Sequence, residues 1–383
     1  MAICSEYEAN PRVRREAEAL AARGDQVTVF ALHAEGRPRT EVIDGVRVVH
    51  APTRKYRGTS APAYLRLYGG FFAHATGWLL RHPRSFDLIQ THTLPEAVAF
   101  AATLQRLTGV PLLLDVHDLT EQLFASKFRK DGLMMATVRR TARLSARFAN
   151  EVLAVTEPDA VMIRKWTRRP VTVVMNSPDP RLFPPRPHQP RTGPEILFSY
   201  HGLIAPRHGL VQAVEGFAKL REELPQVRMQ IFGAGDGLAP LRTRVEELGL
   251  VDVVSLPTAL LPITEMLPRI EKATIGVVPS QRDPWTNDVL PTKLMEYAVL
   301  GIPVITFRNP VIERYFPEDS VMYVDPASAE NLYVAMRTLA LDPDLCRRQA
   351  QRASEVVSGM TWDRQRETYY EVVDRMVARR RGA

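Results

Sequence analysis

The stretch DVLPTKLMEYAVLGIPVITF, residues 288–307, reads as a helix delivered straight into a β-strand. Pro291 suits the first helical turn, where its missing amide hydrogen would have had no partner. The apolar spacing carries the helix to about Leu300. Gly301 supplies the stop and Pro303 opens the strand. Lys293 then falls in the first turn, the end of a helix that carries about half a positive charge. A lysine there is unfavourable unless an anion also binds, and free amides, dipole and lysine together describe a phosphate site. The plain alternative is a surface ion pair between Lys293 and Glu296, although lysine preceding glutamate is the weaker orientation.

The sequence on either side repeats this strand and helix alternation. Short β-branched runs occur at 195–202, 228–235, 253–257, 273–280, 303–307 and 321–325, and an earlier set occupies 26–32, 87–93, 111–118, 151–156 and 171–176. Nearly continuous apolar strands separated by helical periodicity predict an α/β class, with parallel sheets covered on both faces. Between the two sets lies NSPDPRLFPPRPHQPRTGPE, residues 176–195, whose prolines exclude a helix or a sheet interior. The expected organisation is a domain over 1–180, a proline-rich linker over 181–194 and a second domain over 195–360. A long amphipathic helix follows from Thr361, anchored by Trp362, Tyr369, Val372 and Met376.

In the first helix, PRVRREAEALAARG, the apolar stripe is Val13, Ala17, Leu20 and Ala21, and Arg12, Arg15, Glu16 and Glu18 lie mostly off it. Domains of this kind open on a central strand, yet only Ala2, Ile3 and Cys4 precede the polar SEYEANP. Either that strand is a stub or the true start lies upstream.

Composition narrows the class. The 383 residues are 45% hydrophobic and 24% charged, which excludes global disorder. No apolar run reaches the roughly eighteen residues that span a bilayer. The opening residues lack the apolar region of a secretory signal, so a cytosolic location is expected. Cys4 and Cys346 cannot make a disulfide framework or a multi-cysteine zinc site. A net charge of +7 fits an anionic partner. Nucleic acid is disfavoured, because the basic residues are dispersed and no binding motif is present.

Asp288 and Glu296, eight apart and followed by GIPV, resemble the acidic signature of retaining glycosyltransferases of family 4. That signature usually begins with Glu, so Asp288 keeps the charge on a shorter arm. The resemblance extends over most of the chain through NPRVRREAEALAARGDQVTV, VTEPDAV, VTVVMN with its following DP-x-LF, and the Trp362 helix. The LPTKLMEY form resembles bacterial polysaccharide-assembly members. It implies the GT-B fold: two Rossmann-like doubly wound domains facing across a cleft, with the C-terminal helix crossing back to the N-terminal domain.

The same resemblance implies roles. Glu296 would bind the ribose of a nucleotide sugar such as a UDP-sugar, and Asp288 would face the donor sugar. The amides around Leu290, Pro291 and Thr292, with Lys293, would hold the diphosphate. In HGLIAPRHGLVQAV the two cations usual in the family are replaced by Leu203 and His208, so Arg207 is the expected substitute, with His208 a loop histidine. Gly233 and Gly235 of GAGDG do not form the dinucleotide fingerprint. They are expected, with Leu256 and Pro257, near the base, the alternative being a tight strand-to-helix turn.

His117, in DVHD, resembles the family's active-site histidine. His92 lies at another predicted strand end, and the two do not make a metal site without a convergent third ligand. The implied reaction retains anomeric configuration, uses no protein nucleophile and needs neither metal nor other cofactor. The acceptor is a glycan or a lipid-linked sugar. Residues 126–148 combine Lys127, Arg129, Lys130, Arg139, Arg140, Arg143 and Arg147 with Phe128, Leu133, Met134, Met135 and Leu144, a pattern that lies on an anionic membrane surface or packs its apolar residues into the core. Rival readings are a nucleotide-sugar epimerase or hydrolase on the same fold, and a non-catalytic nucleotide-sugar-binding partner.

Overall fold

The computed structural model describes residues 1–56, 60–127, 132–257, 261 and 263–381. They form two compact units, Met1–Asn176 with Asp363–Ala383, and Ser177–Trp362.

Unit 1 begins with α1 (Pro11–Arg23), β1 (Thr28–His33), β2 (Thr40–Ile43), β3 (Val46–Arg54) and α2 (Ala61–Leu80). β4 (Ile89–His92), a 3₁₀ turn at Glu96–Ala102, α3 (Thr103–Leu107) and β5 (Leu112–Val116) follow. α4 (Thr120–Lys127), α5 (Gly132–Phe148), β6 (Glu151–Ala154), α6 (Glu157–Arg164) and β7 (Val171–Val173) complete the run. The strands are ordered β1-β3-β2 and β4-β5-β6-β7, and Ala2 bridges Phe30 of β1 and Thr91 of β4 in parallel. A stub of chain thus occupies the central strand position.

β2 and β3 are a hairpin that the sequence reading passed over. Its turn is Asp44-Gly45, with φ of 48° and 79°, and Asp-Gly is among the strongest hairpin signals.

Unit 2 runs β8 (Ile196–His201), α7 (Leu210–Glu223), β9 (Val227–Phe232), α8 (Leu238–Glu247), β10 (Val254–Ser255), α9 (Ile263–Ile270) and β11 (Ile275–Val278). Then come α10 (Thr292–Val299), β12 (Val304–Phe307), α11 (Pro310–Tyr315), β13 (Met322–Val324), α12 (Ala329–Leu341) and α13 (Pro343–Ser358). The six strands among the described residues of this unit are all parallel, in the order β10-β9-β8-β11-β12-β13. The chain reverses its direction of travel between β8 and β11. The loops leaving those two strands therefore diverge and open a crevice, the place where sheets of this kind take ligands.

The proline-rich stretch expected as a linker is laid along unit 2. Phe183 is buried in its core, the Arg186 amide donates to the Val299 carbonyl at 2.9 Å, and His188 Nδ1 lies 2.9 Å from the Gly301 carbonyl. The last helix, α14 (Trp362–Arg381), belongs from Asp363 onward to unit 1, and its four expected anchors are buried.

The charged residues that lie mostly off the apolar stripe of α1 are buried: Arg12, Arg15, Glu16 and Glu18. Arg12 explains how burial is tolerated. Its Nε and Nη2 donate to the two carboxylate oxygens of Asp115 at 2.9 and 2.8 Å, and its Nη1 donates to the Val174 carbonyl at 2.8 Å. Glu16 accepts from Gln90 at 2.7 Å, and Gln90 accepts from the Tyr369 hydroxyl of α14 at 2.6 Å. Periodicity reports which residues lack apolar surface. It does not report which of them find a buried counter-charge. Replacing Arg12 by Met strands the Asp115 carboxylate, so urea unfolding should show unit 1 destabilised by about 3–5 kcal/mol. Adding Asp115→Leu should recover part of that loss.

Candidate active site

In unit 2, α10 is fixed by its buried face. Leu294, Met295, Tyr297 and Ala298 are buried, and the Tyr297 hydroxyl donates to the Ser199 carbonyl of β8 at 2.7 Å. Its ring lies against Gly276 of β11, where an added Cβ would come within 2.6 Å. This attachment sets the start of α10 beside the loop after β8, at the reversal point of the sheet. Pro291 is the N-cap residue, one position earlier than expected, and Thr292 begins the helix.

Lys293 does not form the plain ion pair with Glu296. Its Nζ donates to the Tyr200 hydroxyl at 2.9 Å and stands 4.4 Å from the centre of that ring. Burial pushes Lys293 down to about 8; Glu296 opposes the shift and the charge of Arg207 adds to it. The Arg207 guanidinium lies 4.8 Å over the Trp285 ring, and its Nε is buried without a hydrogen-bond partner. Neither cation has an ion pair among the described residues. Two mutually repelling cations beside the positive end of a helix are an arrangement that an anion would relieve.

Glu296 is half-buried, its Oε2 2.6 Å from His201 Nε2. The His201 ring packs between Phe183 and Tyr297, at centroid distances of 6.3 and 4.8 Å. Asp288 ends a 3₁₀ turn (Thr286–Asp288) ahead of α10, and partial burial raises its pKa. Leu290, Pro291 and Thr292 are half-buried.

His208 is buried, with Nδ1 2.6 Å from the Leu203 carbonyl and 3.2 Å from the Tyr200 hydroxyl. Burial first and the Lys293 charge second push it down to about 3, leaving a neutral loop histidine. Gly233 and Gly235 pack backbone against backbone: a Cβ would fall 1.7 Å from the Gly202 carbonyl oxygen and 2.0 Å from that of Ile204. Leu256 and Pro257 follow β10, and no hydrogen bond or ring contact among the described residues ties them to Lys293.

In unit 1, parallel pairing sets His92 of β4 directly beside Asp115 of β5. His117, two residues on and 14% exposed, sends Nε2 to within 2.8 Å of Asp115 Oδ2. His92 Nδ1 lies 3.0 Å from the same oxygen and 3.1 Å from His117 Nε2. The third group that the sequence reading lacked is thus Asp115, and with the two histidines it makes a cluster that could hold a cation. Arg12 already forks onto both of its oxygens, however, and fits a structural carboxylate better than a metal ligand. Burial favours protonation of Asp115, but Arg12 and His117 override it and hold the carboxyl well below the usual range. Burial pushes His92 down to about 4, against the pull of Asp115.

Sequence reasoning missed Tyr200, His201 and Trp285, the seats of the two cations and of Glu296. Tyr200 and His201 end the predicted strand EILFSYHG, which was the available signal.

Residues 8–179 match the family described as "Glycosyl transferase 4-like domain", and residues 185–356 match "Glycosyl transferases group 1". The chain belongs to the family 4/1 glycosyltransferase superfamily. It is 28% identical over 198 residues to an exopolysaccharide phosphotransferase of Streptomyces coelicolor, covering 51% of this chain and 20% of that protein. It is 28% identical over 194 residues to the putative colanic acid biosynthesis glycosyltransferase WcaL of Escherichia coli, covering 50% and 47%. The chain therefore spans less than half the length of these two relatives. The Anabaena Alr3699/HepE structure in complex with UDP-glucose superposes with a TM-score of 0.73 at 14% identity, covering 97% of this chain and 98% of that one. The fold is GT-B.

Only protonated Lys293 attracts an anion, so affinity for sulfate, whose own charge is constant over this range, should be level below about pH 8 and fall above it. One linked proton gives a decline of up to about tenfold per pH unit, until the higher pKa of the bound state is reached. Calorimetric titration from about pH 6.5 to 9.5, which brackets the transition, measures it. Lys293→Arg should abolish the decline.

Proposed function

We propose that the chain is a retaining glycosyltransferase, moving a sugar from a nucleoside diphosphate donor to a glycan or lipid-linked acceptor. The observation that carries this reading is the pair of cations, Lys293 and Arg207, held on the Tyr200 and Trp285 rings without a counter-ion beside the start of α10. When the bond from the anomeric carbon to the diphosphate oxygen breaks, negative charge grows on the diphosphate. Fixed donors act where charge develops, which is usually the largest catalytic effect.

Around that centre, the amides of Leu290 to Thr292 hold phosphate oxygens and Glu296, steadied by His201, takes the ribose hydroxyls. Asp288 is assigned to the donor sugar, and in unit 1 His117 is assigned to the sugar in transit. Gly233, Gly235, Leu256 and Pro257 are assigned to the neighbourhood of the base. The acceptor hydroxyl attacks from the face the leaving group departs, and its proton passes to the departing phosphate oxygen. No protein nucleophile is required, and Lys293, Arg207 and the helix amides supply the positive charge that a divalent cation otherwise brings.

The UDP-glucose complex of Alr3699/HepE supports a uridine nucleotide, and the names of the two curated relatives support an acceptor from polysaccharide assembly. No helix among the described residues is long and apolar enough to cross a membrane. Peripheral contact with an anionic membrane is assigned to the stretch 126–148. Its Phe128, Arg129 and Lys130 lie outside the described residues, and its Leu133 and Leu144 are 85% and 43% exposed instead of packed in the core.

Release of nucleoside diphosphate from a panel of nucleotide sugars, with and without acceptor, tests the reading. Acceptor-dependent release is expected. Acceptor-independent conversion would indicate an epimerase or hydrolase, and binding without turnover a non-catalytic partner. In the same assay Lys293→Ala should lower kcat by about 10²- to 10³-fold with the melting temperature unchanged. Turnover near wild type would remove Lys293 from the mechanism. Added EDTA should leave the rate unaltered, and a rate restored only by a divalent ion would overturn the metal-free scheme.

A further inference from the structure

Unit 1 contains a groove of about 700 Å³ between α2 and α5 that no role so far described uses. Tyr64, Tyr68 and Phe72 recur at helical spacing and turn one face of α2 into it. Met134, Val138 and Thr141 do the same from α5, and Leu94, Pro95 and Phe100 form the floor. The volume lies in the range of small-molecule sites, but such sites carry several polar groups that fix orientation. Here the one carboxyl group that the described residues place in the wall, Glu96, is buried and accepts from the Thr120 hydroxyl. The walls therefore suit a long, uncharged hydrocarbon.

Two further observations bear on what the hydrocarbon would belong to. The floor follows directly from β4: Leu94 and Pro95 come two and three residues after His92, and Thr120 comes three after His117. A chain lying in the groove would bring its head group toward the strand ends that carry the two histidines. Around α5, at about 100° per residue, the exposed Leu133 and Leu144 separate the groove-facing Thr137 and Thr141 from the exposed Arg140. Arg140 has no ion pair among the described residues. Groove, leucines, then arginine is the order in which an anionic amphiphile presents its tail and its phosphate.

We propose that the groove between α2 and α5 holds the hydrocarbon tail of a phosphate-bearing lipid acceptor, so that this chain selects lipid-linked over free glycan acceptors. The inference rests on the glycosyl-transfer reading, and the experiment separates the two.

Hexyl, octyl and decyl phosphate, below their critical micelle concentrations, are titrated calorimetrically into the intact chain with inorganic phosphate as the control. Binding should tighten about fourfold per added methylene until the groove is filled. Val138→Trp fills the groove, and Leu65→Glu places a charge at its mouth from a position 74% exposed, where folding is not at stake. Each should flatten the series to less than about twofold overall, as loss of the apolar contact requires. Equal affinity for all chain lengths, or a series that both variants preserve, overturns the groove as a hydrocarbon site.

Matched acceptor sugars with methyl and decyl aglycones are then compared, using whichever nucleotide sugar supports turnover. The decyl acceptor should show a KM lower by at least about tenfold in the wild type but not in the variants, with kcat unaltered. Chain-length-dependent binding with equal KM for the two acceptors would mean the tail of a bilayer lipid and would overturn the assignment to the acceptor. Nucleoside diphosphate release that no acceptor stimulates sinks the transfer reading and the acceptor assignment together, whereas the titration still decides the groove on its own.

Discussion

A lysine and an arginine are held near one another in unit 2, beside a helix start, and neither is neutralised. Folding has removed much of the water from Lys293, and Arg207 adds its repulsion, yet Glu296, the carboxylate that pulls the other way, is engaged by His201. What keeps the cations in place is aromatic: Tyr200 under Lys293 and Trp285 under Arg207. A ring face attracts a cation without cancelling its charge. The cluster therefore keeps its positive field available, and an entering anion relieves a repulsion that the protein alone leaves in place.

Unit 1 treats its buried arginine in the opposite way. Arg12 is matched oxygen for oxygen by Asp115, its third nitrogen donates to a backbone carbonyl, and Glu16 stands 3.2 Å from its Nε. Its charge is paired within the unit, and the pair acts as scaffold. Its consequence is felt one position further out, because the carboxylate fixed by Arg12 also holds His92 and His117. The two rings share one oxygen of that carboxylate, and of the two only His117 reaches solvent. The same charge pairing that stabilises the sheet orients the one imidazole at the strand end that a ligand can meet.

How far this was legible in the sequence depended on distance along the chain. The strand runs, the proline-rich break and the anchors of the last helix are local patterns and could be read directly. Lys293, Glu296 and Asp288 could be singled out because their chemistry sits within one turn and its approach. The Asp44-Gly45 hairpin was equally legible and was passed over. The seats of the cations could not be read, since Tyr200 and Lys293 are 93 residues apart and only the strand order brings them together. Burial of Arg12 was hidden for the same reason, its partner being 103 residues away. A charge off the apolar stripe looks solvated until tertiary structure supplies its counter-charge.

Gly233 shows how a residue without chemistry of its own can govern the site. Lacking a Cβ, it lets the loop after β9 close onto the loop after β8, at the Gly202 carbonyl. Gly202, at φ 117° and itself without a Cβ, leaves room for the Lys293 stem, which a methyl group there would meet at 3.2 Å. The ammonium can then settle on Tyr200 and stay beside the first turn of α10. A side chain at Gly233 would force the β8 loop away and take with it the surface against which Lys293 is held. The glycines therefore act on the cation through backbone packing, whether or not either of them touches a ligand, and the close approach of two loops becomes a requirement for the charge at the helix start.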